Sequence, residues 1–136
     1  MEITVSQSQG QVPVTILKPQ GALDASSYRQ LIAKAKEAYS AGTRDMLIDM
    51  SGLTHMSSSG IVALHTISML MRGEELPEEE SGWEAARRID RDSGGGLQKH
   101  FKPLYPPTNI DKKLDMVGFK NFVEVHTDLK QAVESF

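Results

Sequence analysis

The first half of the chain alternates between strand-like and helix-like patterns of hydrophobic residues. Alternating apolar and polar positions at 3–5 and 12–17 predict two short antiparallel strands joined by a turn. Apolar residues then recur at spacings of three and four, which predicts a helix over 26–42 with serines at its start and a glycine at its end. The compact apolar run at 46–50 is typical of a parallel strand that is covered on both sides. Because a parallel strand is reached through a helical crossover, these segments predict a β-α-β unit.

The second half repeats the same alternation, apart from one polar segment. A second one-sided helix is predicted over about 59–72, directly after a run of serines. Beyond residue 100 the pattern predicts, in order, a strand at 101–105, a short helix at 110–118, a strand at 122–125 and a last helix capped by Thr127. Strands and helices in this order predict a layered α/β fold, in which a small mixed sheet of four or five strands packs with about four helices.

Residues 73–98 differ in character from the rest of the chain. The segment holds eight acidic residues and three arginines, so it carries all of the excess negative charge. We interpret it as a flexible acidic insert within a single domain that spans residues 1–136. One helical turn is expected at about 83–89 and a glycine hinge at 94–96. The glutamates at 78–80 either bind a basic partner or a cation, or form a solvated charge run, which is the ordinary case.

Composition limits the class of protein. The 136 residues suit one domain, and 39% hydrophobic with 24% charged residues is typical of a soluble globular protein. A net charge of -3 argues against nucleic acid as a partner, because phosphate-backbone binding needs a basic surface. The chain has no cysteine, which excludes disulfides and thiolate chemistry. It also has no signal-peptide pattern and no apolar run of membrane length, so we expect a cytoplasmic protein that does not contact membranes.

The serine run before the second helix is the most prominent candidate for chemistry. Any one of Ser57, Ser58 and Ser59 can cap the helix by accepting a backbone N–H, which is the ordinary role of serine at this position. The run lacks the leading glycine of the Gly-x-Ser-x-Gly elbow, so we do not expect a hydrolase. The histidines show no metal-ligand spacing and no phosphate-loop motif is present, so we expect neither metal nor cofactor. Asp24 and Asp49 are either local turn residues or functional groups.

Several short motifs follow one another in a specific order. They are Gly-Ala-Leu-Asp at 21–24, Leu-Ile-Asp-Met-Ser-Gly-Leu at 47–53 and Met-Ser-Ser-Ser-Gly-Ile at 56–61, where the second helix opens. The segments at 106–110 and 118–125 agree with the same order. This arrangement resembles the STAS domain, a family named for sulphate transporters and anti-sigma factor antagonists. The resemblance covers about 110 residues, which is everything except the acidic insert.

The resemblance implies a non-catalytic regulatory module, so we expect no enzyme activity. In such domains a partner kinase phosphorylates a serine at the start of the second helix and a phosphatase restores it; by position this serine is Ser58. Asp24 matches an aspartate near the same surface, and Asp49 matches the aspartate that closes the central strand. This chain departs from the pattern in three ways: Ser57 replaces the acidic residue that usually precedes the serine, Pro103 lies inside the strand after the insert, and the acidic insert itself is unusual.

We therefore expect a protein that binds a serine kinase or anti-sigma factor while Ser58 is unphosphorylated. The expected partner surface comprises the 23–24 turn, the 54–59 loop and the exposed side of the second helix. Its predicted residues are Leu23, Asp24, Asp49, His55, Met56, Ser57, Ser58, Ser59 and Gly60. The alternative is a ligand-sensing domain or an accessory subunit of a transport complex, which would bind a nucleotide, a lipid or another small anion near the same helix start.

Overall fold

The computed structural model of the protein describes residues 1–74, 76 and 97–136. These residues form five strands, four α-helices and one short 3-10 helix. The strands are β1 (Glu2–Gln9), β2 (Pro13–Leu23), β3 (Met46–Asp49), β4 (Leu53–Met56) and β5 (Phe101–Leu104). The helices are α1 (Tyr28–Ser40), α2 (Ser58–Met71), α3 (Thr108–Met116) and α4 (Leu129–Glu134), and the 3-10 helix is Phe119–Asn121. None of the helices in this part of the chain is both long and apolar enough to cross a membrane.

Strand β2 organises the sheet. It pairs antiparallel with β1 along one edge and parallel with two strands along the other. Residues 15–17 of β2 pair with β3, whereas residues 21–23 pair with β4. The change of partner coincides with a shift in register at Gly21, whose φ of 97° favours glycine. Because β5 pairs parallel with the far side of β3, the strand order is β1-β2-β3-β5, with β4 beside the end of β2.

Helices cover both faces of this sheet. Successive side chains of β2 point to opposite faces, so Leu17 and Ile16 belong to different hydrophobic clusters. Leu17 packs in the larger cluster with Leu31 of α1 and Leu64 of α2. Ile16 packs in the smaller cluster with Val133 of α4. Full burial of each such side chain contributes about 1.5–3 kcal/mol to stability. The apolar side chains on both faces of β2 therefore favour a sheet with helices packed on each side.

The structure confirms the predicted α/β fold with its mixed sheet, and it adds one strand. The apolar run at 46–50 forms β3, which is reached from β2 through α1 as a parallel crossover requires. The added strand is β4, which the sequence pattern assigns mainly to a loop. Its position directly before α2 matters for the site, because β4 delivers the serine run to the end of β2.

Two predictions for the tail are wrong. The expected strand at 122–125 does not form, and only an isolated bridge joins Leu104 to His126. The last helix is capped by Asp128 rather than by Thr127, since the Asp128 carboxylate accepts the backbone N–H three residues further on at 2.9 Å. Asp and Thr both cap helices well, so composition alone does not choose between adjacent candidates.

Most of the predicted acidic insert falls outside the described residues. The same holds for the predicted helical turn at 83–89, the glycine hinge at 94–96 and the glutamates at 78–80. At the far boundary of the segment, Gln98 is buried, and its side-chain amide donates to the carbonyl and hydroxyl oxygens of Ser68 at 2.8 and 3.1 Å. Gln98 is therefore part of the packed domain.

Candidate functional site

Adjacent serines at the start of α2 have different roles. Ser57 is the N-cap: its backbone is extended, and its Oγ accepts the Ser59 N–H at 3.2 Å. Ser58 is the first helical residue and is exposed. Neither its hydroxyl nor its backbone N–H has a hydrogen-bond partner within the residues that the structure describes. Since Ser57 already satisfies the capping requirement, the Ser58 hydroxyl is available for other chemistry.

The turn after β2 holds this helix start in place. The Ser57 N–H donates to the Leu23 carbonyl at 3.0 Å, which extends the pairing of β2 and β4 by one residue. Gly60 allows the first turn of α2 to approach so closely. A Cβ at this position would lie 2.9 Å from the Leu23 carbonyl oxygen and would overlap the Met56 side chain. Glycine is needed here because the backbones are close, not because of an unusual φ.

Helix α3 closes the other edge of β4. Asn109 donates its side-chain amide to the Thr54 carbonyl at 3.3 Å, and Lys113 donates its ammonium to the Met56 carbonyl. The two donors are one helical turn apart and the two acceptors are alternate residues of a strand, so the spacings match. Asn109 and Lys113 thus take the place of a neighbouring strand. Neither residue is predicted from the sequence, because an i, i+4 spacing indicates a shared helix face without indicating what that face contacts.

The Asp24 turn places a fixed charge beside the serine run. The Asp24 carboxylate accepts hydrogen bonds from the Ser26 hydroxyl at 2.6 Å and the Ser26 N–H at 2.9 Å. These two bonds, of which the one from the hydroxyl has the larger effect, hold the pKa of Asp24 below its usual value of 3.8. Asp24 is therefore ionised at neutral pH. Its geometry is that of a local turn residue, which is one of the two roles left open by its sequence position.

The exposed part of the predicted partner surface is smaller than expected. Every residue of α2 from 60 to 69 is buried, so this part of the helix has no exposed side that could contact a partner. Leu23 and Met56 are also buried, at 0% and 1% exposure, and lie behind the surface. The predicted residues that reach the surface in whole or in part at the helix start are Asp24, His55, Ser57, Ser58 and Ser59.

Asp49 lies apart from this group. It ends β3, and its carboxylate accepts the Ser51 N–H at 3.0 Å, which forms a local turn. The preceding residue, Ile48, pairs with Leu17, so Asp49 lies level with a point five residues before Leu23 on β2. Five residues of extended strand span roughly 17 Å. The structure therefore does not bring Asp49 to the serine run, and its contribution there is indirect, through the turn that starts β4.

Known proteins share this architecture. A Thermotoga maritima protein described as a candidate anti-sigma factor antagonist has a TM-score of 0.70 at 14% identity, covering 97% of this chain and 92% of its own. An anti-sigma factor antagonist from Mycobacterium paratuberculosis has a TM-score of 0.64 at 13% identity, with the same coverage. SpoIIAA of Bacillus in its phosphorylated form has a TM-score of 0.53 at 16% identity, covering 98% of this chain and 97% of its own.

At these identities the structural likeness shows the fold alone, and a search of curated protein sequences finds no significant match. The family assignment comes from the sequence itself. The sequence model of the STAS domain matches residues 5–74, which is just over half of the chain and extends from β1 to the end of α2. That range contains the Asp24 turn, β4 and the serine run. The chain belongs to the STAS domain family.

Proposed function

We propose that the protein is a non-catalytic regulatory module of the anti-sigma factor antagonist type, switched by phosphorylation of Ser58. Unphosphorylated, it binds a serine kinase that acts as an anti-sigma factor; phosphorylation releases that partner, and a phosphatase restores the binding form. One observation carries the proposal. Ser57 caps α2, while the hydroxyl of the exposed Ser58 beside it makes no hydrogen bond within the described part of the chain.

The helix start suits a phosphoserine chemically. The kinase would transfer the γ-phosphoryl group of ATP to the Ser58 Oγ, which loses its proton as ADP leaves. The product brings about -1.5 to -2 charges to a position where the helix dipole and the Ser58 N–H both favour an anion. Ser57 caps the helix without adding a charge of its own. The folded state should therefore tolerate the phosphate with little change in stability.

A docked partner would not tolerate it. A phosphate enclosed by a protein interface loses its hydration, and any acidic group opposite repels it, so the penalty is several kcal/mol. A penalty of about 4 kcal/mol corresponds to about a thousandfold loss of affinity. The helix start follows directly on the buried, paired residues Leu23 and Met56, so the sheet fixes the position of the added charge. Phosphorylation would thus change binding while the fold stays the same.

The relatives support this assignment by fold and family. Two of the structurally similar proteins are described as anti-sigma factor antagonists, one of them as a candidate, and SpoIIAA is described in a phosphorylated form. The residues that would contact the partner are those exposed around Ser58, with Asp24 and His55 at the border of the surface.

The proposal is tested by phosphorylation in vitro. A kinase that the unphosphorylated chain retains from a lysate of its source organism is purified and incubated with the chain and ATP. We expect a mass increase of one phosphate, mapped to Ser58 by peptide sequencing, in the wild type and in the matched control Ser59→Ala. Ser58→Ala should remain unmodified. Modification at another residue would overturn the assignment of the switch to Ser58. No modification, together with thermal stabilisation by a small anion, would favour the ligand-sensing alternative.

A further inference from the structure

Two of the three outer sheet edges formed by described strands are covered by the chain itself. Asn109 and Lys113 occupy the outer edge of β4. The outer edge of β5 is covered by the segment at His126, whose N–H donates to the Pro103 carbonyl at 3.0 Å and whose carbonyl accepts the Tyr105 N–H at 2.9 Å. The outer edge of β1 is different. No described residue pairs with it, although β1 is as long as the other two strands together.

Strand β1 also lacks the features that usually protect an open edge. Folded proteins keep such edges short or interrupt them with lysine, proline or a bulge. The sequence of β1 is Glu-Ile-Thr-Val-Ser-Gln-Ser-Gln, with one charge at its first position and no proline. Its pairing with β2 runs through all eight residues without an irregularity. Six of these residues are exposed, including Val5 with 47% of its surface accessible. The edge is long, regularly paired on its inner side and nearly uncharged.

We propose that β1 pairs antiparallel with β1 of a second copy of this chain, so that two sheets join into one across a twofold axis at Val5. An axis perpendicular to the sheet keeps the α1–α2 layers of the two copies on the same side. Two residues that lie directly opposite each other then point their side chains to the same side of the joined sheet. Because side chains alternate along each strand, the two residue numbers are both odd or both even, and they add to an even sum. When the numbers of opposite residues add to ten, Val5 of one copy lies opposite Val5 of the other.

This register is complementary with respect to charge and hydrophobicity. Glu2 of one copy lies opposite Ser8 of the other, so no like charges meet. Thr4 lies opposite Ser6, and the two exposed Val5 side chains cover each other at the axis. A foreign strand would need its own uncharged, matching sequence, whereas a second copy supplies it by symmetry. The composition of β1 therefore favours a second copy of this chain as the partner at this edge.

The absence of cysteine allows a direct test by cross-linking. Facing residues in an antiparallel pair have Cα atoms about 4.5–5.5 Å apart, within the range of about 4.4–6.8 Å that a disulfide spans. We expect Val5→Cys to form a disulfide-linked dimer on mild oxidation at least tenfold faster than Met116→Cys. Met116 is the matched control, since it is the most exposed large hydrophobic residue described, at 85%. Mixing Thr4→Cys with Ser6→Cys chains should give mainly the mixed dimer, which tests the register.

Sedimentation equilibrium tests the same interface without a covalent bond. We expect the wild-type chain to dimerise reversibly with concentration. Val5→Lys should weaken the dimer at least tenfold, because two ammonium groups meet at the axis, and Met116→Lys should leave it unchanged. Both variants change exposed side chains, and unchanged thermal melts would confirm that they fold. A wild-type chain that stays monomeric up to about 1 mM, a dimer insensitive to Val5→Lys, or equal cross-linking of the two cysteine variants would each overturn the proposal.

Discussion

Replacing Ser57 with alanine and, in a separate variant, Ser58 with alanine distinguishes the structural role of the serine run from its proposed regulatory role. The two changes remove the same hydroxyl group from adjacent positions at the start of α2. Only Ser57 uses its hydroxyl within the described structure, by accepting the Ser59 N–H at 3.2 Å. The variants are therefore each other's matched controls, with opposite expectations for stability and for phosphorylation.

The expected change in stability follows from the cap. Loss of a serine N-cap lowers the free energy of unfolding by about 1 kcal/mol, within a range of about 0.5–2 kcal/mol. For a chain of this size, that corresponds to a fall in Tm of about 3–5 °C. Ser58→Ala removes an exposed group and should stay within about 0.5 kcal/mol of the wild type. Urea titration followed by circular dichroism measures both free energies, and calorimetry measures the Tm values.

The two variants should have the opposite order of effects on phosphorylation, where Ser58→Ala causes the larger loss. Ser58→Ala should accept no phosphate, whereas Ser57→Ala should still accept one, more slowly to the extent that the helix start frays. The reasoning would be refuted if Ser58→Ala were the less stable variant, since Ser58 would then be the cap. It would equally be refuted if Ser57→Ala abolished modification while Ser58→Ala retained it, because the acceptor would then be Ser57.

Three further predictions concern the support of the site. Gly60→Ala should lower the free energy of unfolding by about 1–3 kcal/mol in urea titrations, because the added Cβ overlaps rigid neighbours; a wild-type value would contradict the close approach. Lys113→Met should lower the free energy of unfolding by about 1.5 kcal/mol, because a charge-assisted hydrogen bond is lost. Lys112→Met changes an exposed neighbour and should leave the free energy of unfolding almost unchanged. By NMR titration the Asp24 carboxyl should have a pKa below 3.8, and Ser26→Ala should raise it. Because folding lowers this pKa, its contribution to stability is present above 3.8 and is lost as the pH falls through the lower folded value.

How far the sequence predicted the fold depended on how regular each local pattern is. The run at 46–50 contains four apolar residues around one aspartate, and it forms β3 as predicted. Strand β4 was missed because its sequence, Leu-Thr-His-Met, buries only the two end residues, a spacing of three that also fits a helical turn. Its strand conformation depends on pairing with β2, which is distant in sequence. Local periodicity cannot report such pairing.

The false strand at 122–125 has a different cause. The apolar pattern there is real, but Phe122 and Val123 are adjacent and both buried, at 0% and 2% exposure. A strand with one buried face would send neighbouring side chains in opposite directions. Phe122 instead packs against Phe119, with ring centroids 4.8 Å apart, which holds the chain in a compact turn after the 3-10 helix. Burial of both adjacent residues is thus incompatible with a strand that has one buried face.

The candidate site was predictable only where it is local. The serine run at a helix start is visible in sequence, and the structure brings it to the Asp24 turn through the pairing of β2 and β4. Which serine caps the helix depends on backbone geometry, which alternation patterns do not contain. The role of Lys113 cannot be predicted from the sequence for a simpler reason. It lies 57 residues from the carbonyl that it contacts, and nothing in its own neighbourhood indicates that contact.

The most direct test of the switch is the affinity of the purified kinase partner for two forms of the full chain, one unmodified and one carrying phosphoserine at position 58. Isothermal titration calorimetry should give an affinity at least a hundredfold weaker for the phosphorylated form, while circular dichroism and Tm stay unchanged. Equal affinities for the two forms would contradict the account, because a charge at the start of α2 would then have no effect on binding. An affinity loss accompanied by unfolding would contradict it as well, since the switch requires an intact fold.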